Sequence, residues 1–110
     1  MHAQLSYFDG PRSAELIAAS ERAGRERIAP AVLADPQLQD EMIALYVLRQ
    51  PDGGEVVVVI AKTEAGLYRG RDVIMSTELL PGEDPALLPG PDRVEIYEVV
   101  DSVSPVGVPS

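Results

Sequence analysis

An α+β fold, with an antiparallel sheet and two helices on one face of it, is predicted by three features of this 110-residue chain. The first is a β-hairpin over residues 41–63, where two apolar runs flank Pro51, Asp52 and Gly53. Pro51 presets φ, Asp52 bonds its own backbone and Gly53 accepts a positive φ. The second is a pair of period-2 segments at the two ends of the chain, residues 2–8 and 93–101. The third is a helical pattern on each side of the hairpin. The order is strand, helix, strand, strand, helix, strand, which is the ferredoxin-like βαββαβ arrangement.

The hairpin sets the main constraint. Met42, Ala44, Tyr46 and Leu48 are as apolar as Ile43, Leu45 and Val47, and residues 56–60 are apolar throughout. Neither strand alternates, so both faces of the hairpin are expected to leave water. Two helices cover one side only. The other is expected to be covered by a second copy of the chain, giving a homodimer.

The remaining elements follow in order. His2 to Phe8 alternates Ala3, Leu5 and Tyr7 against His2, Gln4 and Ser6, a strand with one apolar face. Ser13 is placed to cap a helix whose first turn holds Glu15. Ile17, Ser20, Gly24, Ile28 and Ala31 form its narrow inner stripe, with Gly24 as a point of close approach. Pro30 should kink or end this helix near Ala29, and Asp35-Pro36 closes the segment. Thr63 caps a second helix over residues 64–77, weakened by Gly66 and Gly70 and held by Leu67, Ile74 and Met75. Leu-Leu-Pro-Gly then occurs at residues 79–82 and again at 87–90. This is expected to be an ordered loop docked by its leucines rather than a mobile lid, with Glu83, Asp84 and Asp92 as a solvated acidic rim. Residues 1–102 form the domain and residues 103–110 a tail bearing Val103, Val106 and Val108.

Composition narrows the function. A hydrophobic fraction of 45% and a charged fraction of 25% are those of an ordinary globular chain. The net charge of −9 disfavours nucleic acid and anionic membrane surfaces as partners. There is no cysteine, which removes disulfides, thiolate nucleophiles and zinc-thiolate sites. No secretory pattern opens the chain and no apolar run approaches the roughly 20 residues of a membrane span, so a cytoplasmic protein without a membrane partner is expected. No cofactor or metal motif is present.

The helix ending in Ile-Ala-Pro-Ala-Val-Leu-Ala-Asp-Pro, the apolar strand closing on Leu-Arg, and Pro-Asp-Gly-Gly followed by Val-Val-Val-Val-Ile resemble the dimeric α+β barrel superfamily, particularly its antibiotic-biosynthesis-monooxygenase-like and stress-responsive branch. The resemblance covers residues 2–101. It implies a small homodimer with one cleft per subunit between sheet and helices. Members include cofactor-free oxygenases of polycyclic phenols, haem-degrading enzymes and polyketide cyclases. The oxygenases are associated with asparagine and tryptophan in the cleft, and this chain has neither. The haem-degrading members have an internal histidine ligand, whereas the single histidine here is His2, at a terminus expected to fray.

Groups able to do acid/base or anion-binding work in a helix-covered cleft are Tyr7, Tyr46, Tyr97, Arg49, Tyr68, Arg71 and Asp9. Of these, Tyr7, Tyr68 and Arg71 are the candidate catalytic set, tyrosine as proton donor and Arg71 for an anionic or phenolate oxygen. Arg49 is expected to pair with Glu55 across the turn at the surface. Two functions follow. One is a metal-free enzyme or binding protein for an apolar aromatic small molecule, and the other is a non-catalytic dimeric interaction module.

Overall fold

A computed structural model describes residues 1–103. Residues 104–110, most of the expected tail, lie outside the described residues. The strands are β1 (His2–Phe8), β2 (Met42–Arg49), β3 (Glu55–Ala61) and β4 (Arg93–Glu98). They form one antiparallel sheet in the order β4-β1-β3-β2. Both β-helix-β passages join strands that run parallel with one strand between them, and right-handed crossing puts their helices on one face.

The first helical stretch is α1 (Ala14–Ala23), a π turn (Gly24–Ile28) and α2 (Ala29–Ala34). The Ser13 hydroxyl accepts from the Leu16 amide at 3.1 Å, as the sequence predicts. Pro30 does not end the helical stretch, which runs on to Ala34, because the π turn ahead of it accommodates the missing donor. The Ala29 amide reaches back five residues to the Gly24 carbonyl, and Pro30 then sits in the first turn of α2, where its lack of an N–H costs nothing. Gly24 is likewise not a close-approach point, since a Cβ there would meet nothing within 4 Å.

A short helix, α3 (Pro36–Glu41), occupies what the sequence suggests is a closing turn. Asp35 is its cap, accepting from the Leu38 amide at 3.1 Å, with Pro36 at the first helical position. Asp35 is also bound by Arg69 of α4 (Glu64–Met75), which holds its carboxyl below the usual range. Leu38 follows and is 1% exposed, the largest fully buried side chain. It packs against α4 beside Gly70, where an added Cβ would stand 3.9 Å from the Leu38 side chain, in ordinary contact; the tighter approach is at Gly66, where a Cβ would fall 2.8 Å from the Glu41 carboxylate. Thr63 caps α4 as expected, accepting from the Gly66 amide. Leu67 is buried in the core, but Met75, expected to anchor the helix, is 79% exposed.

The hairpin turn places Gly53 at φ 91°, with Gly54 donating to the Asp52 carboxylate at 2.8 Å. Arg49 and Glu55 do pair, at 2.8 Å, yet not at the surface. The Glu55 side chain is 4% exposed, and Arg12 closes on it from the other side at 3.5 Å. Arg49 also reaches Glu21 of α1 at 2.9 Å, so α1, β2, β3 and the β1–α1 connection meet in one ionic cluster around Arg49 and Glu55.

Residues 76–92 form an ordered loop fixed mainly by polar groups rather than by its leucines. Glu83 is a buried acceptor and not a rim residue: Arg27 of the π turn donates to it at 2.9 Å, and the Leu80 amide at 2.6 Å. Arg27 also donates to Thr77, and Arg22 to the Pro81 carbonyl. Leu87 and Leu88 are half-buried, while Leu79 is exposed.

Leu38→Ala should cost about 2–5 kcal/mol, read as a lower urea midpoint at unchanged slope. The Leu80 amide, and then Arg27, hold the Glu83 carboxyl below its ordinary value of 4.5. Its contribution is therefore complete above that value and is lost as pH falls through the folded-state pKa. Glu83→Gln should flatten the acid side of the stability–pH profile, measured by urea unfolding at a series of pH values.

Candidate functional site on the uncovered sheet face

Strand register sorts the side chains. Ala3, Leu5 and Tyr7 of β1 lie opposite Ile60, Val58 and Val56 of β3, which lie opposite Ala44, Tyr46 and Leu48 of β2. On the other side of β1 they meet Tyr97, Glu95 and Arg93 of β4. The alternate set on β3, Glu55, Val57, Val59 and Ala61, is turned to the helices, as the buried Glu55 and Ala61 and the Arg49–Glu21 contact require.

The apolar side of β1 therefore faces away from the helices, and its polar side faces them. Gln4 and Ser6, linked at 3.5 Å, lie on the helix side with His2. His2 is no frayed end. It pairs in register with both Ala61 and Glu98, and its Nδ1 is buried without a hydrogen-bond partner among the described residues.

The uncovered face carries Leu5, Val56, Val58 and Ile60 at its centre and Tyr46 and Leu48 on the β2 edge. The expectation that the helices cover the hairpin's other side fails for β2. Leu45 and Val47, turned to the helix side, are 43% and 52% exposed, because α4 lies over β1 and β3 instead.

At the β4 edge of the open face the polar groups form one chain. The Arg93 guanidinium carbon stands 4.0 Å from the Tyr7 ring centroid, a cation–π stack. Its Nε lies 3.4 Å from Glu95, whose other oxygen accepts from the Tyr97 hydroxyl at 2.9 Å. That hydroxyl lowers the Glu95 pKa, and the carboxylate in turn raises the pKa of Tyr97. At neutral pH Glu95 is ionised and Tyr97 protonated, so neither is poised to exchange a proton. Near the hairpin turn the same face dips into a concavity of about 360 Å³, lined by Tyr7, Leu48, Val56 and Gly10 among others.

Tyr68 and Arg71 are together on the surface of α4, with Arg71 5.7 Å from the Tyr68 ring. The Tyr68 hydroxyl donates to Glu64 at 3.0 Å, which raises its pKa and makes it a poorer proton donor. Tyr7 lies on the opposite side of the sheet. The structure thus brings two of the three candidate catalytic residues together and separates them from the third. Arg93 and Glu95, the residues found beside Tyr7, are missed by inspection of single segments. Their signal is the alternation of residues 93, 95 and 97, which acquires meaning once β4 is registered on β1. Among the described residues no group of histidine, aspartate and glutamate is placed to hold a metal, and no helix is long and apolar enough to cross a membrane.

No family model and no curated protein matches this chain.

Tyr97→Phe should raise the Glu95 pKa towards its ordinary value, because the carboxylate loses the donor that most favours its charged form. Carboxyl carbon chemical shifts followed through an acid titration read the change directly.

Proposed function

We propose that the protein is a ferredoxin-like subunit of a homodimeric α+β barrel, similar in plan to the antibiotic-biosynthesis-monooxygenase-like branch, and that it acts through association rather than catalysis. The observation that carries this reading is the uncovered sheet face. Leu5, Val56, Val58, Ile60, Tyr46 and Leu48 form one apolar surface across three strands, on the side that no helix among the described residues occupies. Surfaces of that kind mark interfaces, and a second copy offers the matching one by two-fold symmetry. The exposed Val100 and Val103, which follow β4 at the opposite edge from β2, add apolar area for a partner to cover. The separation of Tyr7 from Tyr68 and Arg71, and the commitment of the Tyr68 and Tyr97 hydroxyls to Glu64 and Glu95, favour association over acid/base chemistry.

A second reading, binding of an apolar aromatic small molecule, is supported by the concavity beside Tyr7. Its volume of about 360 Å³ falls at the lower end of the roughly 300–1,000 Å³ typical of ligand sites. Density for a polycyclic phenol against Tyr7, Leu48 and Val56 in soaked crystals would favour it.

Light scattering on the purified protein at micromolar concentration should give the mass of two chains. Val56→Lys with Val58→Lys should give folded monomers, whereas Val57→Lys with Val59→Lys, on the helix side, should lower stability instead. A well-folded wild-type monomer would remove the assembly argument.

A further inference from the structure

Strand β2 is an unprotected edge. It lies outermost beside β3, and no strand among the described residues pairs with its other side. From Met42 to Leu48 it carries no charge and no proline, the features that normally keep an edge from adding strands. Its side chains meet solvent on both faces: Tyr46 and Leu48 on the open side are more than half exposed, and Leu45 and Val47 are bare on the helix side. The other edge is built differently. β4 is six residues long and places Arg93, Glu95 and Glu98 along its length.

Contact between two open faces covers Tyr46 and Leu48 but cannot reach Leu45 and Val47, which point the other way. A strand added along the edge covers both pairs, because its side chains alternate between the same two faces and its backbone takes up the free amides and carbonyls. The strand that fits is β2 itself. The bulge between Met42 and Ala44 leaves residues 44–48 as the regular span. Antiparallel pairing about its middle residue sets Tyr46 opposite Tyr46 of the second copy, Leu45 opposite Val47, and small Ala44 opposite large Leu48. Each shares a face with the residue it meets. Arg49, the strand's one charge, then falls at the bulge, beside the acidic start of the other copy's strand, Asp40 and Glu41. Centring one residue later would set Arg49 against Leu45, and one residue earlier would set Val47 against the bulged Ile43.

We infer that β2 pairs with β2 of a second copy across a two-fold axis at Tyr46, and that this seam closes one side of the barrel. The inference rests on the homodimer proposed above and adds to it which edges meet. Tyr46 and Leu48 turn into the space between the two open faces, while Leu45 and Val47 form an outer apolar row with their counterparts. The charged β4 edges fall on the far side.

The chain has no cysteine, so single substitutions give an unambiguous cross-link. Tyr46→Cys should form a covalent dimer on air oxidation, since residues opposite one another in an antiparallel pair stand about 4.5–5.5 Å apart at Cα, within the reach of a disulfide. Leu48→Cys should not, because in this register it lies about 14 Å along the strand from its counterpart. Val47→Lys, on the helix side, should raise the dimer dissociation constant at least tenfold by sedimentation, with the fold unchanged by circular dichroism. Failure of Tyr46→Cys to cross-link in a two-chain protein, cross-linking at residue 48 instead, cross-linking of Tyr46→Cys to Tyr97→Cys in an equimolar mixture, or a dissociation constant unmoved by Val47→Lys would each overturn the seam and leave the face-to-face dimer standing. A single-chain mass for the wild-type protein would remove the dimer, and the seam with it.

Discussion

The Glu55 carboxylate is the point on which the architecture turns. It sits at the first position of β3, nearly excluded from water, with Arg12 on one side and Arg49 on the other. A charge so placed is tolerable only when its partners are fixed, because the penalty for stranding it is several kcal/mol. The requirement propagates outward. Arg49 must end β2 in register with Glu55, Arg12 must leave the β1 turn towards the hairpin, and Glu21 holds the far end of Arg49 from α1. Gly53 completes the arrangement. Its φ of 91° suits glycine, and a Cβ there would press within 2.7 Å of the Arg12 carbonyl. The ionic contact thereby holds α1 against the face of the sheet that its right-handed crossing gives it.

The π turn performs a related task at the other end of α1. Inserting one extra residue per turn accommodates Pro30 and presents Arg27 to the 76–92 loop, where it meets Glu83. A loop rich in proline and glycine would otherwise have little holding it, and the buried pair supplies that hold. The leucine repeat is secondary to it. The polar anchor leaves Leu87 and Leu88 free to form a wall beside α1.

These anchors leave the sheet with two unlike faces. On the helix side Gln4 and Ser6 enter a partly polar layer. On the open side the centre is aliphatic, and the β4 edge carries the Arg93, Glu95 and Tyr97 chain beside Tyr7. Placing the ionic chain at an edge keeps its charges near water, where their desolvation is small, while the apolar centre remains available for contact with another surface. The same division separates Tyr68 from Tyr7: α4 carries Tyr68 outward, onto Glu64, rather than down to β1.

Local chemistry was readable from the chain alone. The Ser13 and Thr63 caps, the Pro51-Asp52-Gly53 turn, the period-2 strands and the order of the elements depend on residues a few positions apart, and each appears where the sequence puts it, save that the last strand ends at Glu98 rather than running on to residue 101. The cap formed by Asp35 is of the same kind, and the Asp-Pro pair was its visible signal, although it marks the start of α3 as readily as a closing turn. Tertiary structure decided the rest. Alternation in β1 shows that Ala3, Leu5 and Tyr7 share a face but carries no sign of which face the helices take. The burial of Glu55 and Glu83 depends on Arg12 and on Arg27, respectively 43 and 56 residues away in the chain, and a carboxylate looks the same in sequence whether solvated or enclosed. Side of sheet, depth of charge and convergence of side chains are properties of packing between distant segments, and no spacing within one segment encodes them.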